Sequence, residues 1–171
     1  ERASLGQYSL AALSWMFRKS RIPWALLLQM SVRVMLAKYG ITQGSLVLDD
    51  SDKRRSKVTT RIFNAHKLKE KTSGGYLNVQ NLVFLLLVTP SITIPVGVAF
   101  YMPDPVLTAW RQADKQLTQQ GVPSHSRPPH PTRHPKYPTK QAIALHLLEA
   151  FAGDHPSIEV KMVLADALYA T

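Results

Sequence analysis

From Tyr76 to Met102 the chain carries no charged residue, and this run limits the possible folds more than any other feature. It is long enough to cross a bilayer as one helix, so the membrane reading is weighed first. Against it stand Pro90 and Pro95 near the middle, scattered Asn, Gln, Ser and Thr, and many β-branched residues. Proline inside a helix removes a hydrogen bond and clashes with the preceding turn, whereas β-branched side chains favour strands. The run divides into strands at 80–88 (QNLVFLLLV) and 92–101 (ITIPVGVAFY) around the turn Thr89-Pro90-Ser91. The expectation is a buried β-hairpin, with no membrane partner.

Charge decides the class of partner. Against 11 Asp+Glu stand 21 Lys+Arg, a net +10 with a pI near 10.0. That excess favours an anionic partner, nucleic acid or an acidic membrane surface, and is silent on fold. With 171 residues, 45% hydrophobic and 19% charged, the chain has the composition of one globular domain, with or without a small appendage. There is no cysteine, which excludes disulfides and thiolate metal sites and fits a cytoplasmic protein. Residue 1 is Glu, no basic-then-apolar leader follows, and the last residues (VLADALYAT) run out on apolar side chains. On this reading the chain is a fragment.

The remaining segments supply helices and two further features. Residues 5–18 place Leu5, Tyr8, Ala12, Trp15 and Met16 at helical spacing. Residues 24–38 are apolar on most sides, predicting a buried helix opened by Pro23 and stopped by Gly40. Residues 1–40 are thus a helical N-terminal segment. Residues 45–49 read as a short buried strand ending in acid, and 50–71 as a strongly basic stretch closed by a turn at Gly74-Gly75. Residues 105–120 form an amphipathic helix, and 121–138 a proline-rich loop, exposed and partly extended. Thr139 caps a helix that runs through Ala152 and is closed by Gly153; 158–165 (IEVKMVLA) is a final strand ending at Asp166.

Two strands therefore finish in aspartate, at Asp49 and Asp166. Two-metal phosphoryl transfer needs carboxylates that converge from different elements, because Mg²⁺ takes hard oxygen ligands and keeps waters for the substrate phosphate. Parallel neighbouring strands would bring both acids to one sheet edge. The plainer alternative stays open beside it: an aspartate after a strand is often only a turn residue or a helix cap.

The segments LVLDDSDKRRSK, the charge-free double strand and VLADALY together resemble the DDE/DDD insertion-sequence transposases, whose catalytic core has the RNase H-like fold. The likeness spans roughly residues 40–171 and is strongest at the two short acidic motifs. It implies an α/β fold, an incomplete RNase H-like core at 41–171: a mixed sheet with an antiparallel hairpin and flanking helices. The family pattern Asp-x-Ser/Thr puts Asp49 at the first catalytic position through Ser51, with Asp50 as the alternative metal ligand should the register differ by one. Asp166 takes the second position, accompanied by Tyr169. The third acid, a Glu in a Tyr-Arg-Glu-Lys signature, has no counterpart, so the fragment alone is expected to be inactive. In the intact parent two Mg²⁺ (or Mn²⁺) ions would be held by Asp49, Asp166 and that Glu. Water would attack a phosphodiester at the element's end, and the freed 3′-hydroxyl would then attack target DNA. Lys53, Arg54, Arg55, Lys57 and Arg61 are the candidate phosphate contacts, with a solvated charged loop as their alternative. Transposon ends and target DNA would be the partners, a homodimer is the expected assembly, and the nucleoid the expected location.

A rival reading is a non-catalytic basic module that binds nucleic acid through residues 53–71 and 127–140. Other signals are weaker. His125, His130 and His134 sit among prolines without the fixed ligands of a zinc site, and His66 and His146 read as satisfied surface or helix histidines. Trp15, Trp24 and Trp110 lie on expected helices, where core packing is the simpler role. No nucleophile elbow or Walker loop is present.

Overall fold

The charge-free run forms the middle of a sheet. The computed structural model describes residues 9–56, 62–70, 74–166 and Tyr169. Its strands are β1 (Gln43–Arg55), β2 (His66–Lys69), β3 (Tyr76–Val88), β4 (Thr93–Tyr101) and β5 (Glu159–Ala165). The helices are α1 (Leu10–Lys19), α2 (Trp24–Lys38), α3 (Pro105–Gln119) and α4 (Lys140–Asp154). β3 pairs antiparallel with β4 from Val88↔Thr93 to Asn81↔Tyr101, and Thr89 closes the hairpin with its hydroxyl donating to the Ile92 carbonyl. On its other edge β3 pairs antiparallel with β1, while β2 joins β3 beyond the end of β4. β1 and β5 run parallel through the crossover that contains α4. The protein is α/β with a mixed sheet.

Strand alternation divides the sheet into two unlike faces. On one, Leu46, Leu48, Val83, Leu85, Leu87 and Ile94 pack with Ile143, Ala144, Leu147 and Phe151 of α4 and with Val32 and Leu36 of α2. Gly97 allows this close approach: a Cβ there would lie 3.1 Å from the Leu147 side chain. On the other face Val47, Leu82, Phe84 and Leu86 are only partly buried, and Val98 and Phe100 are exposed.

Local sequence accounts for the helix ends. Gly40, at φ 58°, follows the C-cap of α2, and Ile41 N–H donates back to Leu36 at 2.9 Å while both side chains are buried. Asp104 caps α3, its Oδ1 accepting from Val106 and Leu107 N–H, and its Oδ2 accepts from His134 N–H at 2.9 Å. One buried carboxylate thus starts a helix and pins the proline-rich loop. The His134 N–H leads the effects that hold its pKa below the ordinary value, against the opposing effect of burial. Trp110 Nε1 donating to Pro128 and Arg127 pairing with Asp114 anchor the same loop.

Four expectations change. α2 is buried only at Val32 and Leu36; Trp24, Leu26, Leu27, Met30 and Val34 are exposed, because a helix apolar on all sides meets the sheet along a single stripe. Trp15 and Trp24 are likewise exposed, Trp24 stacking on Phe17 rather than entering the core. The first strand does not end at Asp49 but continues to Arg55, since β3 offers it pairing partners as far as Asn78. Gly153 lies inside α4, whose C-cap is His155. Of the residues expected in the first helix, 5–8 lie outside the described residues.

Candidate active site

Asp49 and Asp50 are neighbours on β1 and so point to opposite faces. Asp49 pairs across with Phe84 and stands, exposed, on the open face; Asp50 pairs across with Val83 and stands on the face covered by α4. The parallel pairing of β1 with β5 runs as far as Leu48↔Ala165. Asp49 follows Leu48 on β1, and Asp166 is the first residue past the end of β5.

Tyr169 lies where these groups meet. Tyr169 N–H donates to the Asp166 carbonyl at 2.9 Å, and its ring packs against the core cluster. Its hydroxyl is buried and has no hydrogen-bond partner among the described residues. Burial above all, then the charges of Asp50, Asp49 and Asp166, push its pKa up to about 12. Three carboxylates, two from β1 and one from the end of β5, thus act on one hydroxyl.

The two acids on β1 differ in their partners as well as their faces. Asp49 Oδ1 accepts from the Asp50 N–H at 2.8 Å. Asp50 Oδ2 accepts from Lys140 Nζ at 2.5 Å and from Asn81 Nδ2 at 3.1 Å. Burial raises the Asp50 pKa, but these two hydrogen bonds and the Lys140 charge outweigh it, and the net shift is downward. Asn81 also donates to Asp52 Oδ1 at 2.6 Å, and its own Oδ1 is buried without a partner among the described residues. Lys140 Nζ lies 5.4 Å from the centre of the Tyr101 ring.

Asp49 and Asp166 offer hard oxygen donors, and Mg²⁺ is commonly held by one or two carboxylates together with substrate phosphate and water. Carboxylate oxygen is the donor type such an ion takes. Among the described residues no three His, Cys, Asp or Glu side chains form a metal-binding group.

The basic stretch is placed in part. Lys53 is exposed on β1, Arg54 pairs with Glu70 at 3.0 Å, and Arg55 Nε donates to Gln80 at 2.7 Å. Lys57 and Arg61 lie outside the described residues. A cavity of about 590 Å³ runs beside this stretch, lined by Asp52, Arg54, Leu68, Lys69, Glu70, Leu77 and Val79. Two of the three loop histidines have structural uses: His130 stacks edge-on against Trp110, and His134 Nδ1 accepts from Lys136 N–H. His66 is on β2, against Tyr101, and His146 is exposed on α4.

Sequence reasoning missed Lys140, Asn81 and Asp52. A signal for Lys140 existed. It is the first residue of α4, where the helix dipole disfavours a cation, and a lysine placed there calls for an acidic partner.

Compared with protein-family models, with curated proteins and with solved structures, the chain matches none. Among the described residues no helix is long and apolar enough to cross a membrane.

Proposed function

We propose that this chain is part of the catalytic core of a DDE transposase, with an RNase H-like fold, in which Asp49 and Asp166 hold the divalent cations of a two-metal phosphodiester reaction. The observation that carries this reading is the parallel register of β1 and β5, which sets the two aspartates one step beyond Leu48 and Ala165. The strand order, an antiparallel β1-β3-β4 meander with β5 parallel to β1 on the far side, suits that fold.

In this reading Asp49 supplies anionic oxygen on the open side of the sheet, where a DNA backbone has access, and Asp166 joins it from the end of β5. Bound there, Mg²⁺ or Mn²⁺ lowers the pKa of the attacking water and stabilises the leaving oxygen. Tyr169 shields the carboxylates from the core side, and its hydroxyl, un-ionised well past neutral pH, adds no charge that would repel phosphate. Lys53 stands beyond the acids on the same strand as a phosphate contact. A third acid, a homodimer, transposon ends as the DNA partner and a nucleoid location belong to the intact parent.

The test is metal binding followed by cleavage. Wild-type chain should bind Mn²⁺, measured by the electron paramagnetic resonance of the free aquo ion, and Asp49→Asn and Asp166→Asn should each weaken binding at least about tenfold, the loss of a charge-assisted ligand. In a reading frame that continues past Thr171, a strand and then a helix with Tyr-x-x-Arg-x-x-x-Glu should follow. The intact protein should nick its DNA ends only with Mg²⁺ or Mn²⁺. Salt-dependent DNA binding that ignores both the metal and Asp49→Asn would instead establish the basic-module reading.

A further inference from the structure

Two adjacent acids in the middle of β1 pose a problem for any site built there, since only one of them faces the open side. We propose that Lys140 is a positioning residue: it holds Asp50 on the α4 face and keeps that carboxylate from competing with Asp49 for a divalent cation. The inference rests on the metal-site reading given above and names the device that sets its register.

Geometry carries the argument. Lys140 Nζ sits 2.5 Å from Asp50 Oδ2, with the two side chains only 19% and 20% exposed. A part-buried charge pair is costly to break by removing one member, because the other is left uncompensated. The pair has support on both sides. Asn81 donates a second hydrogen bond to the same Asp50 oxygen and a third to Asp52, tying the two acids of that face to β3. Lys140 is steadied by the Tyr101 ring and by the helix it begins, whose N-cap Thr139 accepts from Ala142 N–H.

The position of Lys140 strengthens the case. At the first residue of α4 its charge works against the positive end of the helix dipole, so local helix energetics give no reason for a lysine there. The Asp50 carboxylate does. Without Lys140, Asp50 would be an anion with one amide for a partner, near enough to act on the Tyr169 hydroxyl together with Asp49 and Asp166. A cation drawn to Asp49 would then be drawn to Asp50 as well.

The experiment is a double-mutant cycle on the full chain, read by Mn²⁺ affinity. Lys140→Met should tighten apparent Mn²⁺ binding about five- to tenfold, the effect of removing one positive charge from the neighbourhood at an intermediate dielectric. The conservative Lys140→Arg should stay within about twofold of wild type. Lys140→Met combined with Asp50→Asn replaces the pair by neutral groups, which a part-buried site tolerates, and should return to within about twofold of wild type. The double variant is also the measurement to rely on if Lys140→Met alone does not fold.

A merely structural clamp predicts a lower melting temperature for Lys140→Met with Mn²⁺ affinity unchanged, and that result overturns the inference while leaving the metal site standing. Loss of Mn²⁺ binding in the double variant also overturns it, since Asp50 would then be a ligand. If wild type binds no Mn²⁺, or Asp49→Asn binds it as well as wild type does, the metal reading and this inference fall together.

Discussion

The two faces of the sheet are built from alternate residues of the same strands, yet they have had different fates. On the α4 face Val83, Leu85 and Leu87 are 0% exposed, while one step away on β4 Val98 is 42% exposed and Phe100 39%. The covered face has a helix layer from α2 and α4. The open face has, among the described residues, Phe63 edge-on against Phe100, with the Phe63 carbonyl accepting from Gln80. Charge divides the same way: Asp50 is neutralised on the covered side and Asp49 stands on the open side. A strand does not have an environment; its two faces do. For acids next to each other in sequence, that distinction decides which can meet a ligand.

The comparison breaks most visibly under truncation of like residues on unlike faces. Val83→Ala should cost about 2 kcal/mol, the lost transfer energy plus a cavity between β3 and α4. Val98→Ala should cost about 0.5 kcal/mol or less, because its side chain is already largely in contact with water. Urea unfolding midpoints with unchanged slopes would measure both. Equal costs would mean that the open face is covered in solution, most simply by a second copy of the chain, and the difference should then shrink as protein concentration rises.

A second prediction adds a methyl instead of removing one. Gly44 lies on the covered side of β1, and a Cβ there would sit 2.9 Å from the Val88 carbonyl oxygen and 2.7 Å from the Leu87 side chain. The leucine tip can turn aside, but the carbonyl belongs to the strand and cannot. Gly44→Ala should therefore cost about 1–2 kcal/mol by overpacking, visible in the same unfolding experiment. A neutral result would show that the β1–β3 pairing slides at that end, where the β1–β5 register already shifts between Gly44 and Leu46.

How far the sequence foretold this division depends on which interaction decided each element. The hairpin was legible because Pro90, Pro95 and a long β-branched run act locally, and Gly40, Thr139 and the aspartate that follows β5 act within a few residues. The extension of β1 through Asp52, Lys53, Arg54 and Arg55 was not, because charged residues enter a strand only when a partner such as β3 is waiting, and that is tertiary information. The exposure of α2 was illegible for the same reason, since hydropathy says that a helix can be buried and not which stripe is. At the candidate site, strand alternation already implied that Asp49 and Asp50 face opposite ways. The choice of which one faces α4 needed the register of Val83 and Phe84, and Lys140 is 90 residues away from Asp50.

The smallest effect is a dependence on pH at the far end of the covered face. His155, the C-cap of α4, is 8% exposed, its ring against Phe151 and its N–H donating to the Phe151 carbonyl. Burial lowers its pKa below 6.5, the charge of Arg33 adds to the shift, and Asp154 opposes it. The folded protein therefore holds this histidine neutral at a pH where the unfolded chain has begun to take up a proton. A depressed value of this kind contributes stability that is present above pH 6.5 and lost as pH falls through the folded value. Unfolding free energy measured between pH 7.5 and 5 should fall toward acid, and His155→Gln, polar but without a titrating proton, should flatten that part of the slope. An unaltered slope in the variant would move the proton uptake to another group, and with it the claim that the covered face is sealed as far as the end of α4.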